Sequence, residues 1–292
     1  MIQGTGAAIV TPFSKSGEID KKSLEKLIDH LIDNGTDFIV SLGTTSEAVT
    51  LNKVEKVLVM KLVKEYVAGR VPVVMGMGGN NTAAVCEEIS STDFDGVEAI
   101  LSVAPYYNKP NQRGIYAHFA EIAKISPVPI ILYNVPGRTA SNISAETCIK
   151  LAKDFEKVVA VKEASGDMDQ VMEIIKNRPD GFSVLSGDDA LTYPIMTLGG
   201  NGVISVVAMA FPKEFSEMVN LCLKGDYEKA KQIHYSLTEI ISLLFADGNP
   251  AGIKASLQIM GLLENNMRLP MVPVLEDHYA AIKKFIENYK QP

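Results

Sequence analysis

Short apolar runs rich in β-branched residues alternate with amphipathic stretches along most of the chain. Several runs are apolar almost throughout, which is typical of parallel strands covered on both faces. Between the runs, apolar residues recur at helical spacing, as at Leu24, Leu27 and Leu31. The pattern predicts eight strands, at residues 7–11, 38–42, 71–75, 97–103, 130–133, 158–162, 183–185 and 202–206.

This alternation predicts an α/β fold built from right-handed βαβ units. Eight units in a chain of 292 residues favour a closed (β/α)₈ barrel, the TIM barrel. An open doubly wound sheet is the alternative, but the Gly-x-Gly-x-x-Gly turn typical of that fold does not follow the first strand. The glycine cluster at residues 76–79 lacks that spacing.

The chain continues as helix-like sequence after the eighth predicted strand, at residues 215–223, 227–246, 253–263 and 274–288. This is more helix than the last barrel unit needs, and no linker-like composition precedes it. We therefore predict a barrel over residues 1–225. A C-terminal helical extension over residues 226–292 is expected to pack on the barrel as part of one structural unit.

Charge and cysteine content narrow the functional classes. The net charge is −7 and the basic residues are scattered, so no basic stripe predicts a nucleic-acid partner. No apolar run is long enough to predict a membrane span. Cys86, Cys148 and Cys222 lie far apart in helix-like segments, which favours reduced thiols and a cytoplasmic location.

Lys162 is the most informative candidate for chemistry. Catalytic groups of such barrels lie at the C-terminal ends of the strands, and Lys162 closes the apolar run at residues 158–161. A lysine is rarely buried without a partner, so a salt bridge to a neighbouring carboxylate is the structural alternative. A desolvated lysine amine, however, has a lowered pKa and attacks a ketone to form an imine.

Three hydroxyl groups are predicted at the same rim: those of Thr44, Tyr107 and Tyr133. Imine chemistry needs proton transfer, which such groups can supply. The alternatives are a turn or helix-capping hydroxyl for Thr44 and a loop aromatic covering the barrel edge for Tyr107.

Groups suited to a carboxylate lie nearby in the predicted fold. Arg138, just past the fifth strand, could pair bidentately with a carboxylate, although a surface ion pair is the alternative. Gly43 and Gly187 would let a ligand approach the backbone, and Thr45 could donate hydrogen bonds. The residues themselves thus predict an imine-forming lyase with an acidic substrate.

Six segments, in order and with compatible spacing, resemble the dihydrodipicolinate synthase family of pyruvate-dependent lyases. They are residues 43–47 (GTTSE), 105–110 (PYYNKP), 133–139 (YNVPGRT), 161–164 (VKEA), 186–189 (SGDD) and 202–205 (GVIS). The resemblance implies condensation of pyruvate with L-aspartate 4-semialdehyde to 4-hydroxy-tetrahydrodipicolinate. That reaction is the first committed step of the diaminopimelate and lysine pathway.

The resemblance also implies catalytic roles for four residues. Lys162 would form the Schiff base with pyruvate, and Tyr133 would donate and accept protons. Thr44 would link Tyr133 to Tyr107, which would cross a tight-dimer interface into the neighbouring subunit's site. A homodimer or a tetramer built from two dimers is therefore expected, with no organic cofactor and no catalytic metal.

Substrate binding is implied for four others. Thr45 and the backbone at Ile204 would hold the pyruvate carboxylate, with Gly187 nearby. Arg138 would bind the carboxylate of the semialdehyde and steady the catalytic tyrosine.

The chain departs from the family pattern where regulation is concerned. Members inhibited by lysine bind it near the residues matching Asn80 and Tyr106, using a histidine and a glutamate. The matching positions here are Lys56 and Ala84. Because a carboxylate is lost and a cation is added, we predict weak or absent lysine feedback. Two further departures, Ser46 for a glycine and Gly252 for a proline, carry no chemistry.

Two alternative functions follow from the same residues. An aldolase of the same superfamily would cleave N-acetylneuraminate or a 2-keto-3-deoxy sugar acid, but Arg138 suits a carboxylate better than a sugar chain. A non-catalytic barrel could bind a small molecule, but such a protein would be expected to lose the lysine or the hydroxyl groups first.

Overall fold

The computed structural model describes residues 2–290. Eight parallel strands are hydrogen-bonded in chain order and form a closed barrel, so the predicted (β/α)₈ fold is confirmed. The strands are β1 Gly4–Ala8, β2 Phe38–Ser41, β3 Val73–Gly76, β4 Ala99–Val103, β5 Ile130–Asn134, β6 Val158–Glu163, β7 Ser183–Ser186 and β8 Gly202–Ser205.

The α-helices within the described range are α1 Lys21–Asp33, α2 Lys53–Val67, α3 Thr82–Ser91, α4 Gln112–Ile125, α5 Pro136–Thr139, α6 Ala145–Asp154, α7 Met168–Asn177, α8 Thr192–Thr197, α9 Pro212–Leu223, α10 Tyr227–Ala246, α11 Ala251–Ile259 and α12 Glu276–Asn288. Local sequence explains their starts. Asp20 caps α1 by accepting a hydrogen bond from the Ser23 amide, and Asn52 and Glu55 form a capping box at α2. Of the helices between residues 2 and 290, none is long and apolar enough to cross a membrane.

The predicted bounds of the first strand are wrong. The strand begins at Gly4 and ends at Ala8, three residues earlier than the apolar run indicates. Glycine is a poor strand former and adds nothing to the apolar pattern, so the pattern does not predict a strand that begins at Gly4. Gly6 is nevertheless required, because a Cβ there would lie 2.2 Å from the ring of Phe38. β3 and β4 each begin two residues later than predicted.

The chain divides into two compact units. Unit 1 comprises the residues up to Gly4 together with Val74–Ile204, and unit 2 comprises Thr5–Val73 together with the residues from Ser205 onward. The helices α10, α11 and α12 follow the last strand, as the predicted C-terminal helical segment requires. The proposed start of an extension at residue 226 stays a prediction.

A buried ion pair organises unit 2. The Lys254 Nζ lies 2.5 Å from Glu47 Oε1, and the two side chains are 0% and 1% exposed. Each partner makes a further hydrogen bond: Glu47 Oε2 accepts from the Arg268 amide at 3.0 Å, and Lys254 Nζ donates to the Asn266 carbonyl at 2.8 Å. Burial lowers the pKa of Lys254, and the charge of Glu47 opposes that shift. The pair ties the loop after β2 to α11.

Replacing Lys254 with alanine is expected to lower the free energy of unfolding by about 3–5 kcal/mol, because Glu47 would remain buried without its partner. Urea denaturation measures this loss. Lys229→Ala is the control, since it removes an exposed ion pair with Asp226 and should leave the unfolding free energy close to wild type. Equal losses in the two variants would contradict the structural role of the buried pair.

Candidate active site

The pairing of β5 with β6 brings the two central candidates together in unit 1. In the parallel register, Tyr133 lies opposite Lys162, and Asn134 lies opposite Glu163. Because successive side chains of a strand point to opposite faces, the first pair shares one face and the second pair shares the other. Lys162 and Tyr133 are both buried, and the Lys162 Nζ lies 4.4 Å from the centroid of the Tyr133 ring.

The surroundings of Lys162 do not match the salt-bridge alternative. Among residues 2–290, the amine makes no ion pair with a carboxylate, and its contact is with the face of Tyr133. That distance is within the range of a cation–π interaction. The amine is thus held beside a phenol, which is a suitable arrangement for a nucleophile whose reaction needs proton transfer.

Gly187 leaves room for the Lys162 side chain. A Cβ at this position would lie 3.0 Å from both Cγ and Cε of Lys162 and 2.7 Å from the Cβ of Ala164. The Gly187 amide donates to the carbonyl of Glu163 at 2.7 Å, which holds the end of β7 against β6. Ile204 lies buried in β8, one residue beyond the Ser186–Val203 pairing of β7 with β8.

Arg138 and Tyr107 occupy a more open part of unit 1. Arg138 lies on the short helix α5, which begins with Pro136, and its side chain is exposed. Tyr107 is 87% exposed and has a left-handed backbone with φ of 73°, and its amide donates to the Thr139 carbonyl at 3.4 Å. A bulky residue rarely adopts that backbone region, and such strain is concentrated at functional sites. Between residues 2 and 290, neither side chain is hydrogen-bonded to Lys162.

The loop after β2 carries the two threonine candidates and lies in unit 2. Thr44 is exposed, whereas Thr45 is buried and its hydroxyl accepts a hydrogen bond from Asn249 Nδ2 at 2.9 Å. The Ser46 hydroxyl donates to the carbonyl of Ile9 at 2.6 Å. Ser46 does not have a positive φ, so its turn does not need the glycine of the family pattern.

Sequence reasoning missed two buried groups beside the central pair, Asn134 and Glu163. The Glu163 carboxylate accepts hydrogen bonds from the side chains of Asn134 and Gln170 and from the Ser165 amide. Burial raises the pKa of Glu163, and these hydrogen bonds oppose the rise. The only sequence signal was a charged residue directly after the candidate lysine of a buried strand.

The described part of the chain contains no cluster of three or more histidine, cysteine, aspartate or glutamate side chains suited to a metal ion. A buried primary amine beside a phenol suits attack on a carbonyl carbon, and the guanidinium of Arg138, on the helix that follows β5, suits a carboxylate.

Known proteins are similar to this chain over nearly its whole length. A curated 4-hydroxy-tetrahydrodipicolinate synthase from Parabacteroides distasonis is 52% identical over 98% of this chain and 97% of that protein. The crystal structure of dihydrodipicolinate synthase from Aquifex aeolicus is 40% identical, with a TM-score of 0.95 over 99% of this chain and 98% of that one.

A second crystal structure is that of the chloride-inhibited dihydrodipicolinate synthase from Acinetobacter baumannii complexed with pyruvate. It is 38% identical, with a TM-score of 0.95 over 98% of both chains. The model of the dihydrodipicolinate synthetase family matches residues 1–289. This chain therefore belongs to the dihydrodipicolinate synthetase family.

Proposed function

We propose that this chain condenses pyruvate with L-aspartate 4-semialdehyde to form 4-hydroxy-tetrahydrodipicolinate, in the diaminopimelate route to lysine. The observation that carries the proposal is the buried amine of Lys162 held against the ring of Tyr133. The similarity to named synthases over nearly the whole chain supports it. It also favours the synthase over a sugar-acid aldolase.

The reaction begins at Lys162. Its amine attacks the ketone carbon of pyruvate, and loss of water gives the imine. The imine withdraws electrons, so the methyl carbon loses a proton and an enamine forms. That carbon attacks the aldehyde of the second substrate, whose amino group then displaces Lys162 by ring closure. Tyr133 donates and accepts the protons of these steps.

The remaining candidate residues bind the substrates or transfer protons. Thr45 and the backbone at Ile204 hold the pyruvate carboxylate, and the absence of a side chain at Gly187 leaves space for it. Arg138 pairs with the carboxylate of the semialdehyde, because guanidinium and carboxylate match bidentately. Thr44 passes protons between Tyr133 and the hydroxyl of Tyr107.

The protein is proposed to act as a homodimer or as a tetramer of two dimers. In this assembly, Tyr107 crosses the tight interface into the site of the neighbouring subunit. Its 87% exposure supports the proposal because an exposed aromatic ring is available to a neighbouring subunit, and its left-handed backbone is a strained conformation of the kind found at functional sites. No organic cofactor, metal, nucleic acid or membrane partner is invoked. The free thiols of Cys86, Cys148 and Cys222 fit a cytoplasmic enzyme.

Replacing Lys162 with alanine is expected to reduce pyruvate-dependent consumption of L-aspartate semialdehyde to the background rate. The coupled assay with dihydrodipicolinate reductase measures this loss. Lys176→Ala, which removes an exposed lysine of α7, is the control and should keep the wild-type rate. Turnover in the Lys162→Ala variant, or none in the wild type, would refute the proposed function.

Replacing Arg138 with alanine is expected to lower kcat/KM for the semialdehyde about 10–100-fold, because a charged hydrogen-bonding partner contributes about 1.5–3 kcal/mol. Formation of the borohydride-trapped pyruvate adduct should be unaffected. Arg138→Lys keeps the charge without the bidentate geometry, so its loss should be smaller. An unchanged kcat/KM in the alanine variant would remove Arg138 from the site.

L-lysine at submillimolar concentration is expected to leave the initial rate of the wild type unchanged. Asn80 and Tyr106 are in contact, with the Asn80 amide donating to the Tyr106 carbonyl at 3.3 Å, but Ala84 offers no carboxylate and Lys56 adds a positive charge. The double variant Lys56→His/Ala84→Glu should gain sensitivity. Strong inhibition of the wild type would show that the two residues do not decide the response.

A further inference from the structure

A second residue pair joins β5 to β6 on the face opposite the candidate catalytic pair. Asn134 Nδ2 donates to both carboxylate oxygens of Glu163, at 3.2 Å to Oε1 and 3.0 Å to Oε2. The two side chains are 0% and 1% exposed. Each is the chain neighbour of a proposed catalytic residue, since Asn134 follows Tyr133 and Glu163 follows Lys162.

Further donors complete the coordination of the Glu163 carboxylate. The Ser165 amide donates to Oε1 at 2.7 Å, which fixes the turn leaving β6. Gln170 Nε2, on α7, donates to Oε2 at 3.1 Å. The carboxylate is thus held by the neighbouring strand, the following turn and a helix.

Hydrogen bonds also fix the side-chain amide of Asn134. Its Nδ2 also donates to Asn142 Oδ1 at 2.8 Å, and its Oδ1 accepts from the Ile143 amide at 2.8 Å. Asn142 Nδ2 in turn donates to Gln170 Oε1 at 2.8 Å. The network therefore closes on itself, and each amide has one orientation that satisfies its partners.

The network places a carboxylate in a costly environment. Among residues 2–290, Glu163 forms no ion pair. Burial raises the pKa of the Cys148 thiol on α6, and the charge of Glu163 adds to that rise. A buried carboxylate without a cation is tolerated only when hydrogen bonds replace its hydration.

The network bridges β5 and β6 at the end of their pairing, where the register sets Tyr133 opposite Lys162. The pairing contains an irregularity between Ile130 and Ile131, at the start of β5, so the register at its end does not simply continue that at its beginning. A displacement of one residue would move Tyr133 to the other face. Even a 1 Å displacement of a reacting group costs about 10² in rate.

We propose that Asn134 and Glu163 are positioning residues, which fix the β5–β6 pair from the face opposite the candidate catalytic pair. In this way they keep the Lys162 Nζ 4.4 Å from the centroid of the Tyr133 ring. The proposal rests on the proposed function for the identity of the reacting pair. It assigns neither residue a contact with substrate.

Glu163→Gln is the test variant, because it keeps the side-chain shape but turns one acceptor into a donor. That donor would face the amides of Asn134 and Gln170 or the Ser165 amide. The expected result is a fall of about tenfold in kcat and in the rate of forming the borohydride-trapped pyruvate adduct, while KM for pyruvate changes little.

The double variant Asn134→Asp/Glu163→Gln supplies the rescue. The glutamine amide would then donate to the aspartate, so a cross-strand hydrogen bond returns with its polarity reversed. Recovery of most of the lost rate supports the proposal. A double variant no faster than Glu163→Gln would overturn it.

Ile174→Val is the matched control for stability. Ile174 is a fully buried residue of the same helix as Gln170, and the substitution removes one methyl group without touching the network. Its melting temperature should fall while kcat stays at the wild-type value. If Glu163→Gln also keeps the wild-type kcat, or if Ile174→Val loses kcat equally, the residues have only a structural role.

Two further measurements separate this proposal from the proposed function. If the wild type traps pyruvate but consumes no semialdehyde, the proposed function is wrong, and the adduct rates still test the positioning.

Hydrogen exchange of the β5 and β6 amides needs no substrate. Faster exchange at the ends of these strands in Glu163→Gln than in Ile174→Val supports the proposal, and equal rates overturn it. Gln170→Ala replaces Glu163→Gln if the latter does not fold, with an expected loss of a few-fold in kcat.

Discussion

The pairing of β5 with β6 is the constraint on which the proposed chemistry of this chain depends. It sets Tyr133 beside Lys162 on one face of the strands and Asn134 beside Glu163 on the other. The alternation of side chains along a strand makes the two pairs inseparable, because a change in register moves both. Backbone hydrogen bonds between the strands thus bring an amine into contact with the face of a phenol ring.

Buried carboxylates stabilise the segments that carry the proposed catalytic residues in both units. In unit 1, Glu163 is held by neutral donors beside Lys162, and in unit 2, Glu47 is held by Lys254 beyond Thr45. The two sites differ in charge, since Glu47 has a cationic partner whereas Glu163 has none among residues 2–290. Such groups are expensive to bury but restrict the backbone to one arrangement, which suits segments whose groups must be placed to within a fraction of an ångström.

Alternation and spacing predicted the barrel and the place of Lys162, because the end of an apolar strand in this fold is a defined position. The first strand was misplaced because Gly4 and Gly6 carry no apolar signal, and Gly6 is explained only by the ring of Phe38. The partners of the two carboxylates were not predictable either. Glu47 and Lys254 lie 207 residues apart, and no local pattern encodes a contact of that range.

The central claim is that Lys162 is the residue that bonds to pyruvate. The most direct test is reduction of the protein with borohydride in the presence of pyruvate, followed by mass spectrometry of its peptides. One reduced adduct per chain is expected, on the peptide that contains Lys162. An adduct on another lysine, including the buried Lys254, or no adduct at all, would contradict it.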